Sequence, residues 1–149
     1  MRQTRGPQRP RRDTALAMSE ENVEIVRRIY DEQIAHPEAV RELYDPNYET
    51  DLTDAGPDVG VVLGFDAAEE ALRPYWEMFE DFRYEMEDVI HADERQVVTA
   101  VRDGGRMKRS KSEVWNRFFH VWTFRNGKVI RISAHLDKNR ALEAAGLSE

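Results

Sequence analysis

The sequence contains no cysteine, which excludes disulfide bonds, thiolate nucleophiles and zinc sites built on thiolates. Its four histidines show neither the His-x-x-His nor the His-Glu-x-x-His spacing of common metal sites. No apolar run approaches the roughly 18 residues that a membrane-spanning helix needs. We therefore expect a soluble, cytoplasmic protein with no membrane partner and no metal or other cofactor.

Charge is distributed unevenly along the chain, whose net charge is −7. Residues 1–17 contain five arginines and one aspartate, or +4, which leaves −11 on the remainder. An acidic body disfavours contact with phosphates, so we expect no nucleic-acid partner. The basic tail lacks the apolar segment of a secretory signal and is predicted to be disordered. A single domain is expected over 18–149, beginning at Met18; the alternative is that the tail tethers the protein to nucleic acid or a membrane.

Apolar residues at three- and four-residue spacing predict helices in the first half of the chain. The first helix should cover about residues 20–35, with Ser19 as its N-cap. Pro37 should open a short second helix, a short strand should follow at about 48–51, and a glycine-rich loop at about 54–64. A third helix is expected to begin at Asp66. Its buried face would consist of Ala68, Leu72, Tyr75, Trp76 and Phe79.

From Phe82 onward the apolar pattern has a period of two, which is typical of strands. Four strands are predicted, and a basic, flexible link over about 104–111 separates the second from the third. The last two strands are joined by Asn126-Gly127, which favours a type I′ hairpin. A closing helix should end at Gly146. This order predicts an α+β fold, in which a curved, mostly antiparallel sheet wraps around the N-terminal helices and encloses a pocket.

Two histidines lie within these apolar strands. His120 shares a predicted strand face with Phe118, Trp122 and Phe124. Desolvation among aromatic rings favours the neutral imidazole, which is then expected to accept a proton near pH 7. The alternative is a structural histidine bonded to a neighbouring group. His135 shares a face with Ser133 and Arg131 on the last strand.

Four segments carry a resemblance to a known family: ENVEIVRRIY at 21–30, LYDP at 43–46, HVWTFRNGKV at 120–129 and ALEAAGL at 141–147. Together they resemble the SnoaL-like polyketide cyclase branch of the nuclear transport factor 2-like superfamily. The resemblance implies a cone-shaped α+β fold with a pocket between sheet and helices, and a homodimer formed through the outer sheet face. Because this superfamily includes isomerases, cyclases, dehydratases, epoxide hydrolases and non-catalytic modules, the fold does not determine the reaction.

The resemblance also suggests two residues of the site. His120 matches a position at which ketosteroid isomerases hold an acid that binds the enolate oxygen, and at which SnoaL-like cyclases resemble this chain in holding a histidine. Tyr30 matches an isomerase tyrosine that donates a hydrogen bond to the substrate oxygen. The alternative for Tyr30 is a core tyrosine with a tethered hydroxyl, since a buried phenol needs a partner in any case.

A second acid or base is less well defined by the resemblance. Asp51 lies near the proton-shuttling aspartate of the isomerases, and Glu49 and Thr50 compete for the same position. His135 lies close to the acid/base aspartate of the cyclases, so it is expected either to replace that base or to mark a lost activity. Asp137 is expected to cap the closing helix instead.

Two other reactions of the superfamily fit poorly. The epoxide hydrolases place an Arg-x-Asp pair on one strand, whereas Arg117-Phe118-Phe119 lacks the aspartate. The dehydratases pair two histidines with an aspartate, but the second histidine would have to be His91, which falls at a predicted turn. Both reactions are therefore disfavoured.

Two functions remain open. The first is an enzyme that isomerises or cyclises a small apolar carbonyl compound, such as a polyketide or steroid-like molecule, by proton transfer. Its predicted catalytic residues are His120, Tyr30, Asp51 and His135, and its predicted pocket is lined by Phe118, Trp122, Tyr48, Trp76 and Phe79. The second is a non-catalytic module for ligand binding or dimerisation on the same fold. Two or more titratable groups that converge on one cavity would favour the enzyme.

Overall fold

The computed structural model describes residues 11–55 and 60–147, with side chains from residue 14 onward. Within these ranges lie four α-helices: α1 (Arg11–Glu32), α2 (Pro37–Val40), α3 (Phe65–Trp76) and α4 (Lys138–Ala144). The strands of the same ranges are β1 (Tyr44–Asp51), β2 (Val61–Leu63), β3 (Arg83–Ala92), β4 (Gln96–Arg106), β5 (Glu113–Arg125) and β6 (Lys128–His135). No helix within them is long and apolar enough to cross a membrane. The predicted α+β class is confirmed.

Helix α1 is longer than the apolar pattern indicated. Within the described residues it extends from Arg11, so Ser19 lies inside the helix and is not its N-cap. Residues 14–18 include alanine, leucine and methionine, which are strong helix formers, and no proline or glycine interrupts them. Part of the tail that was expected to be disordered is therefore helical, while residues 1–10 of that tail lie outside the described residues. The predicted stripe of Val26, Ile29 and Tyr30 is buried.

The segment between α1 and α3 contains more strand than the sequence predicted. Pro37 opens α2 as expected. Strand β1 starts at Tyr44 rather than near residue 48 and passes through Pro46, where its pairing with β6 is interrupted. Strand β2 was predicted as loop; it pairs with residues 49–51 of β1 at the edge of the sheet. Three residues are too few to show an alternating pattern, so nothing in the sequence marked β2 as a strand.

Helix α3 differs from its prediction at both ends. Gly64 occupies the N-cap, and no side chain caps the helix. Asp66, the predicted cap, instead forms an ion pair with Arg41 at 2.8 Å. Pro74 lies inside the helix, which ends two residues later. A proline has no N–H to donate to the carbonyl of Glu70, so Pro74 weakens the last turn of the helix. Phe79 consequently lies beyond the helix.

The strands form one sheet in the order β2-β1-β6-β5-β4-β3. Strands β3 to β6 make the predicted antiparallel meander. Strand β1 joins it in parallel with β6, and β2 pairs with β1 in the antiparallel direction. Asn126 and Gly127 have φ values of 54° and 77°, as the type I′ turn between β5 and β6 requires.

The two faces of the sheet are buried in different ways. One face packs against α1 and contributes Val97, Val101 and Trp122 to the main core. The opposite face carries a smaller core in which Val98 and Val121 contact Ala141 of α4. Trp122 and Val121 are neighbours on β5, and they enter different cores because successive strand side chains point to opposite faces.

Helix α4 ends the described chain with a well-defined start and stop. The Asp137 carboxylate accepts a hydrogen bond from the Arg140 backbone N–H at 2.8 Å, which confirms it as the N-cap. At the other end, Gly146 has a φ of 74°, and the Leu147 N–H donates to the Leu142 carbonyl at 2.8 Å. This is the Schellman pattern of helix termination, and it agrees with the prediction that the closing helix ends at Gly146.

Strand β4 continues through residues that were predicted as a flexible link. Gly104 and Gly105 have φ values of 147° and 145°, which side chains other than glycine rarely adopt. A Cβ atom added to Gly104 would lie 1.9 Å from the Val114 carbonyl oxygen of β5. Glycine is therefore required for the close approach of the two strands, directly after Asp103. The basic end of the hairpin is held by an ion pair of 2.6 Å between Lys111 and Glu80.

We predict that Gly104→Ala lowers the free energy of unfolding by about 3 kcal/mol or more, because it adds both backbone strain and a clash with the backbone of β5. Urea denaturation measures the change. Gly60→Ala is the control, since a Cβ there meets no atom of the described residues within 4 Å and should change stability little. Equal losses in the two variants would contradict the prediction.

Candidate functional site

A cavity of about 500 Å³ lies between the curved sheet and helices α1 and α3, which is a volume suited to a small organic ligand. Its walls are mostly apolar and aromatic. Burial raises the pKa of Tyr48 to about 12 and raises the pKa of the other tyrosines further, so their hydroxyls stay neutral at neutral pH. All five tyrosines of the sequence line this cavity: Tyr30, Tyr44, Tyr48, Tyr75 and Tyr84.

Four of the five residues predicted to line a pocket lie on this cavity. They are Phe118, Trp122, Tyr48 and Trp76. Phe79 is not among its lining residues, which corrects that prediction. Its ring packs against Tyr75 and Phe82, at centroid distances of 5.5 and 5.4 Å. The reason is the early end of α3, since only a longer helix would have turned Phe79 toward the cavity.

The Tyr30 hydroxyl is the centre of a buried hydrogen-bond group. It lies 2.6 Å from His120 Nδ1 and 2.8 Å from Thr99 Oγ1, and the indole N–H of Trp122 donates to it at 3.1 Å. Tyr30 comes from α1, Thr99 from β4 and the other two from β5. The sheet register sets Thr99 directly opposite His120. The structure thus brings together Tyr30 and His120, two of the four predicted catalytic residues.

The number of available protons decides the direction of these hydrogen bonds. Tyr30 has a single hydroxyl proton, which can go either to His120 or to Thr99. If Tyr30 donates to His120 Nδ1, its oxygen accepts from both Thr99 and Trp122, and every hydroxyl and indole proton of the group has an acceptor. The reverse arrangement leaves the buried Thr99 hydroxyl without an acceptor among the described residues. Because an unsatisfied buried donor costs free energy, the first arrangement is favoured.

This arrangement defines what His120 offers to a ligand. With Nδ1 accepting from Tyr30, the imidazole carries its proton on Nε2. Nε2 has no hydrogen-bond partner among the described residues. Thr50 Oγ1 is the only side-chain nitrogen or oxygen of those residues that is both fully buried and without a hydrogen bond. Nε2 is therefore not fully buried, and His120 lines the cavity. Burial lowers the pKa of His120 to about 3, so His120 does not accept a proton near pH 7, contrary to the expectation. It presents a neutral N–H donor instead.

A second polar group of the cavity, around Asp103, was missed in the sequence. The Tyr75 hydroxyl donates to Asp103 Oδ1 at 2.7 Å, and Asn116 Nδ2 donates to the Tyr75 oxygen at 2.8 Å. Asp103 is 4% exposed, and burial raises its pKa to about 6. Period-two alternation from Thr99 through Val101 would have placed Asp103 on the inner face. The two glycines that follow it were interpreted as the start of a link, and the strand was ended too early.

Other polar groups of the wall are paired with each other. Tyr44 donates to Gln33 Oε1 at 2.5 Å, and Gln33 Nε2 donates to a carboxylate oxygen of Glu69 at 2.9 Å. The Thr50 hydroxyl is the exception noted above: it is 4% exposed and lines the cavity without a partner.

Asp51 lies outside the cavity, on the opposite face of the sheet. Its carboxylate accepts from Arg131 at 2.6 Å, and Glu49 accepts from the same guanidinium at 3.1 Å. Thr50, between them, faces the cavity. Successive side chains of a strand point to opposite faces. Among the three candidates, only Thr50, which has no carboxylate, therefore points into the cavity.

His135 also lies on the outer face. Its Nε2 is 2.8 Å from Ser133 Oγ and its Nδ1 is 2.8 Å from Asp54 Oδ2, while Arg140 donates to the other oxygen of Asp54 at 2.9 Å. The order serine, histidine and aspartate is that of a nucleophilic triad. Ser133, however, is only 2% exposed, so no substrate reaches its hydroxyl. These side chains connect β6 to α4 and to the segment that follows β1.

The remaining histidine of interest, His91, does not line the cavity either. It lies near the end of β3, where Nε2 is 2.6 Å from Asp93 Oδ2, so it does not form the histidine pair of a dehydratase with His120. Across 14–55 and 60–147, no three histidine or acidic side chains are grouped so that they could hold a metal ion.

We predict that Asp103→Asn stabilises the protein at neutral pH. The pKa of Asp103 rises from 3.8 when unfolded to about 6 when folded. The folded state therefore binds this proton more tightly, and stability is lost as the pH rises through about 6. Asparagine cannot ionise, so the free energy of unfolding should rise by up to about 3 kcal/mol near pH 8 and change little near pH 4.

Urea denaturation near pH 4 and pH 8 checks this prediction, and Asp51→Asn is the matched control. Hydrogen bonds from Thr53 and the charge of Arg131 lower the pKa of Asp51, so its replacement should destabilise the protein at neutral pH rather than stabilise it. An Asp103→Asn variant that is less stable than the wild type near pH 8 would contradict the prediction.

Comparison with known proteins assigns the chain to a family. The sequence model of the SnoaL-like domain matches residues 26–132, whereas no curated protein sequence matches. A protein from Jannaschia sp. CCS1 described as a SnoaL-like polyketide cyclase is 21% identical, over 96% of this chain and 96% of that chain, with a TM-score of 0.66. Bal32a, from a soil-derived mobile gene cassette, is 22% identical over 79% and 90%, with a TM-score of 0.67. TerC, crystallised with polyporic acid, is 19% identical over 85% and 97%, with a TM-score of 0.61.

At these identities the structural likeness supports the fold alone. The match of the family model over residues 26–132 shows that the chain belongs to the SnoaL-like domain family, within the nuclear transport factor 2-like superfamily that includes polyketide cyclases and isomerases.

Proposed function

We propose that the protein is an enzyme that moves protons on a small apolar carbonyl compound, in an isomerisation or an aldol-type cyclisation, with its own side chains. The observation that carries this proposal is the hydrogen bond of 2.6 Å between the Tyr30 hydroxyl and His120 Nδ1. It leaves a neutral N–H donor of His120 available in a cavity lined mostly by apolar and aromatic groups.

The chemistry requires a donor at the place where negative charge develops. When a proton leaves the carbon next to a carbonyl group, the charge collects on the carbonyl oxygen as an enolate. A donor that is already oriented, and surrounded by apolar groups rather than water, stabilises this charge strongly. His120 would donate to the oxygen, and Tyr30 would act through His120 by fixing its tautomer. The low pKa of His120, about 3, argues for a donor rather than a general base.

The substrate we propose is a planar or polycyclic carbonyl compound of polyketide or steroid-like character. Two observations support it. The cavity of about 500 Å³ is walled by aromatic rings, which favour flat apolar ligands. In addition, TerC, a structural relative, was crystallised with polyporic acid, and the relative from Jannaschia is described as a polyketide cyclase.

The proposal predicts that the protein catalyses exchange of the α-hydrogens of an apolar ketone for deuterium. We suggest 1-tetralone in D2O as the probe, with the exchange followed by proton NMR. His120→Ala should slow the exchange about 100-fold, which is the usual loss on removal of one such donor. Tyr30→Phe should slow it less, by about 10-fold, because the imidazole stays but its tautomer is no longer fixed.

His91→Ala is the matched control, because His91 is a half-buried histidine outside the cavity. It should exchange at the wild-type rate. Intrinsic tryptophan fluorescence, to which Trp122 and Trp76 of the wall contribute, checks that the variants still bind the ketone. Wild-type exchange no faster than that of buffer, or equal rates in wild type and His120→Ala, would refute the proposal.

A non-catalytic, ligand-binding role is the second candidate, and one observation favours it. The side chains of β6 that line the cavity are apolar, Ile132 and Ala134, so the last strand offers no carboxylate at the place where the family resemblance implied one. On this alternative, 1-tetralone or a larger aromatic compound would bind and quench the tryptophan fluorescence without any acceleration of exchange.

We further propose a homodimer formed through the outer face of the sheet. On that face the Trp115 ring lies between the guanidinium groups of Arg83 and Arg102, at 4.8 and 4.2 Å, and tryptophan and arginine are enriched in protein interfaces. Light scattering at micromolar concentration should give twice the monomer mass, and Trp115→Ala should lower it. A monomeric mass for the wild type would contradict this prediction. A cytoplasmic location stays a prediction from the sequence.

A further inference from the structure

Asp103 is the only acidic side chain that lines the cavity among the described residues. Its Oδ1 accepts from Tyr75 at 2.7 Å. Its second oxygen has no hydrogen-bond partner within 3.5 Å among those residues and is not sealed within the protein, although the nearby Asn116 side chain also helps to lower the carboxyl pKa. A buried carboxylate with one oxygen held and the other free, on the wall of an apolar cavity, has the geometry of a group that can take a proton from a ligand.

We propose that Asp103 is the proton-accepting residue of the cavity, and that Tyr75 and Asn116 are positioning residues that hold it. This inference rests on the proposed function and supplies the acid/base group that function lacks. Neither Asp51 nor His135 reaches the cavity, and His120 offers a donor rather than a base.

The surroundings of Asp103 suit this role. The titratable groups that face it are neutral tyrosine hydroxyls, those of Tyr75 on α3, Tyr84 on β3 and Tyr30 on α1. Arg117 on β5, the arginine that lines the cavity among the described residues, forms an ion pair with Glu87 at 3.2 Å. With no cation paired to it, Asp103 has a pKa near 6, which lies close to working pH, as an efficient base requires.

The reaction step balances without any co-reactant. The Asp103 carboxylate takes a proton from an acidic carbon of the substrate, the electron pair of that C–H bond forms the C=C bond of the enolate, and the carbonyl π pair moves onto the oxygen beside His120 Nε2–H. Asp103 is then a neutral carboxylic acid. It returns the proton to the same carbon, which gives exchange, or to a carbon further along the conjugated system, which gives isomerisation.

The spacing of the two groups limits the substrate. Thr99, which pairs with His120, and Asp103 are four residues apart on β4, or about 13 Å along the strand. The side chains close part of this distance. A ligand of about two or three fused rings, with its carbonyl oxygen at His120 and its acidic carbon at Asp103, would span the rest.

A binding experiment on the full chain tests Asp103 without any need for turnover. The probe is 2-naphthol, which has a hydroxyl donor, and its control is 2-methoxynaphthalene, which has none. As the pH rises through about 6, the ionised Asp103 should accept a hydrogen bond from 2-naphthol and tighten its binding about 10-fold, with no such change for the methyl ether. Calorimetry or tryptophan quenching gives both affinities.

Three variants sharpen the binding test. Asp103→Asn should abolish the pH dependence for 2-naphthol and leave binding of 2-methoxynaphthalene intact. Tyr75→Phe should move the midpoint above 6, because the hydrogen bond from Tyr75 favours the ionised carboxylate. Asp51→Asn should behave as the wild type. Equal pH dependence in Asp103→Asn and wild type, or a lack of 2-naphthol binding by either, would overturn the inference.

A kinetic experiment separates this inference from the proposed function. In wild type, the deuterium exchange of a fused-ring enone should rise with pH to a plateau above about 6, and Asp103→Asn should lower it at least about 100-fold. Exchange that needs His120 but is unchanged in Asp103→Asn would overturn the role of Asp103 and leave the proposed function standing. Loss of the pH-dependent 2-naphthol binding in Asp103→Asn, in a protein that exchanges no ketone, would uphold Asp103 as a proton-accepting group of the cavity and refute the proposed function.

Discussion

The need to satisfy one buried hydroxyl, that of Tyr30, fixes the relation between the helices and the sheet. This group contacts Thr99 on β4 and both His120 and Trp122 on β5, although Tyr30 itself belongs to α1. A buried hydroxyl without partners costs about 1–3 kcal/mol, so α1 cannot slide along or rotate against the sheet without that cost. The position of α1 in turn fixes one wall of the cavity. The same hydrogen bonds that secure the fold therefore orient the imidazole of the site.

Burial affects the two titratable groups of the cavity in opposite directions. Desolvation disfavours the charged form of any group, so it lowers the pKa of His120 to about 3 and raises that of Asp103 to about 6. At neutral pH the histidine is a neutral donor, and the aspartate is an anion whose pKa lies close to the solvent pH. One physical cause thus produces a complementary pair, and neither member needs a charged neighbour. The ionised form of Asp103 at this buried position lowers the free energy of unfolding.

The parts of the fold that the sequence predicted correctly are those where one pattern allowed one interpretation. The Asn126-Gly127 turn fixed the β5–β6 hairpin, and four aromatic or histidine side chains at alternate positions fixed the inner face of β5. The pattern of β6 was ambiguous, since Ser133, Ala134 and His135 are all buried, and both faces of this strand are covered. Without a fixed phase, the sequence could not show that His135 points outward. Asp51 was misplaced for a related reason. Strand β1 has a polar face and an aromatic face, but this alternation becomes clear only when the strand is known to start at Tyr44.

Asp103 was not predicted because the two glycines that follow it resemble a loop. The same glycines also help to explain why Asp103 suits the proposed role of proton acceptor. Gly104 and Gly105 allow β4 to bend and to approach β5 closely, which brings Asp103 beside Asn116, an exposed residue at the rim of the cavity. His120 lies among the buried side chains of Trp122 and Tyr30. A proton acceptor that supports deuterium exchange must exchange its proton with water, whereas a donor to an enolate is strongest when water is excluded. Asp103 is buried but lies next to an exposed residue, whereas His120 is surrounded by aromatic rings, so one cavity meets these two requirements at different positions.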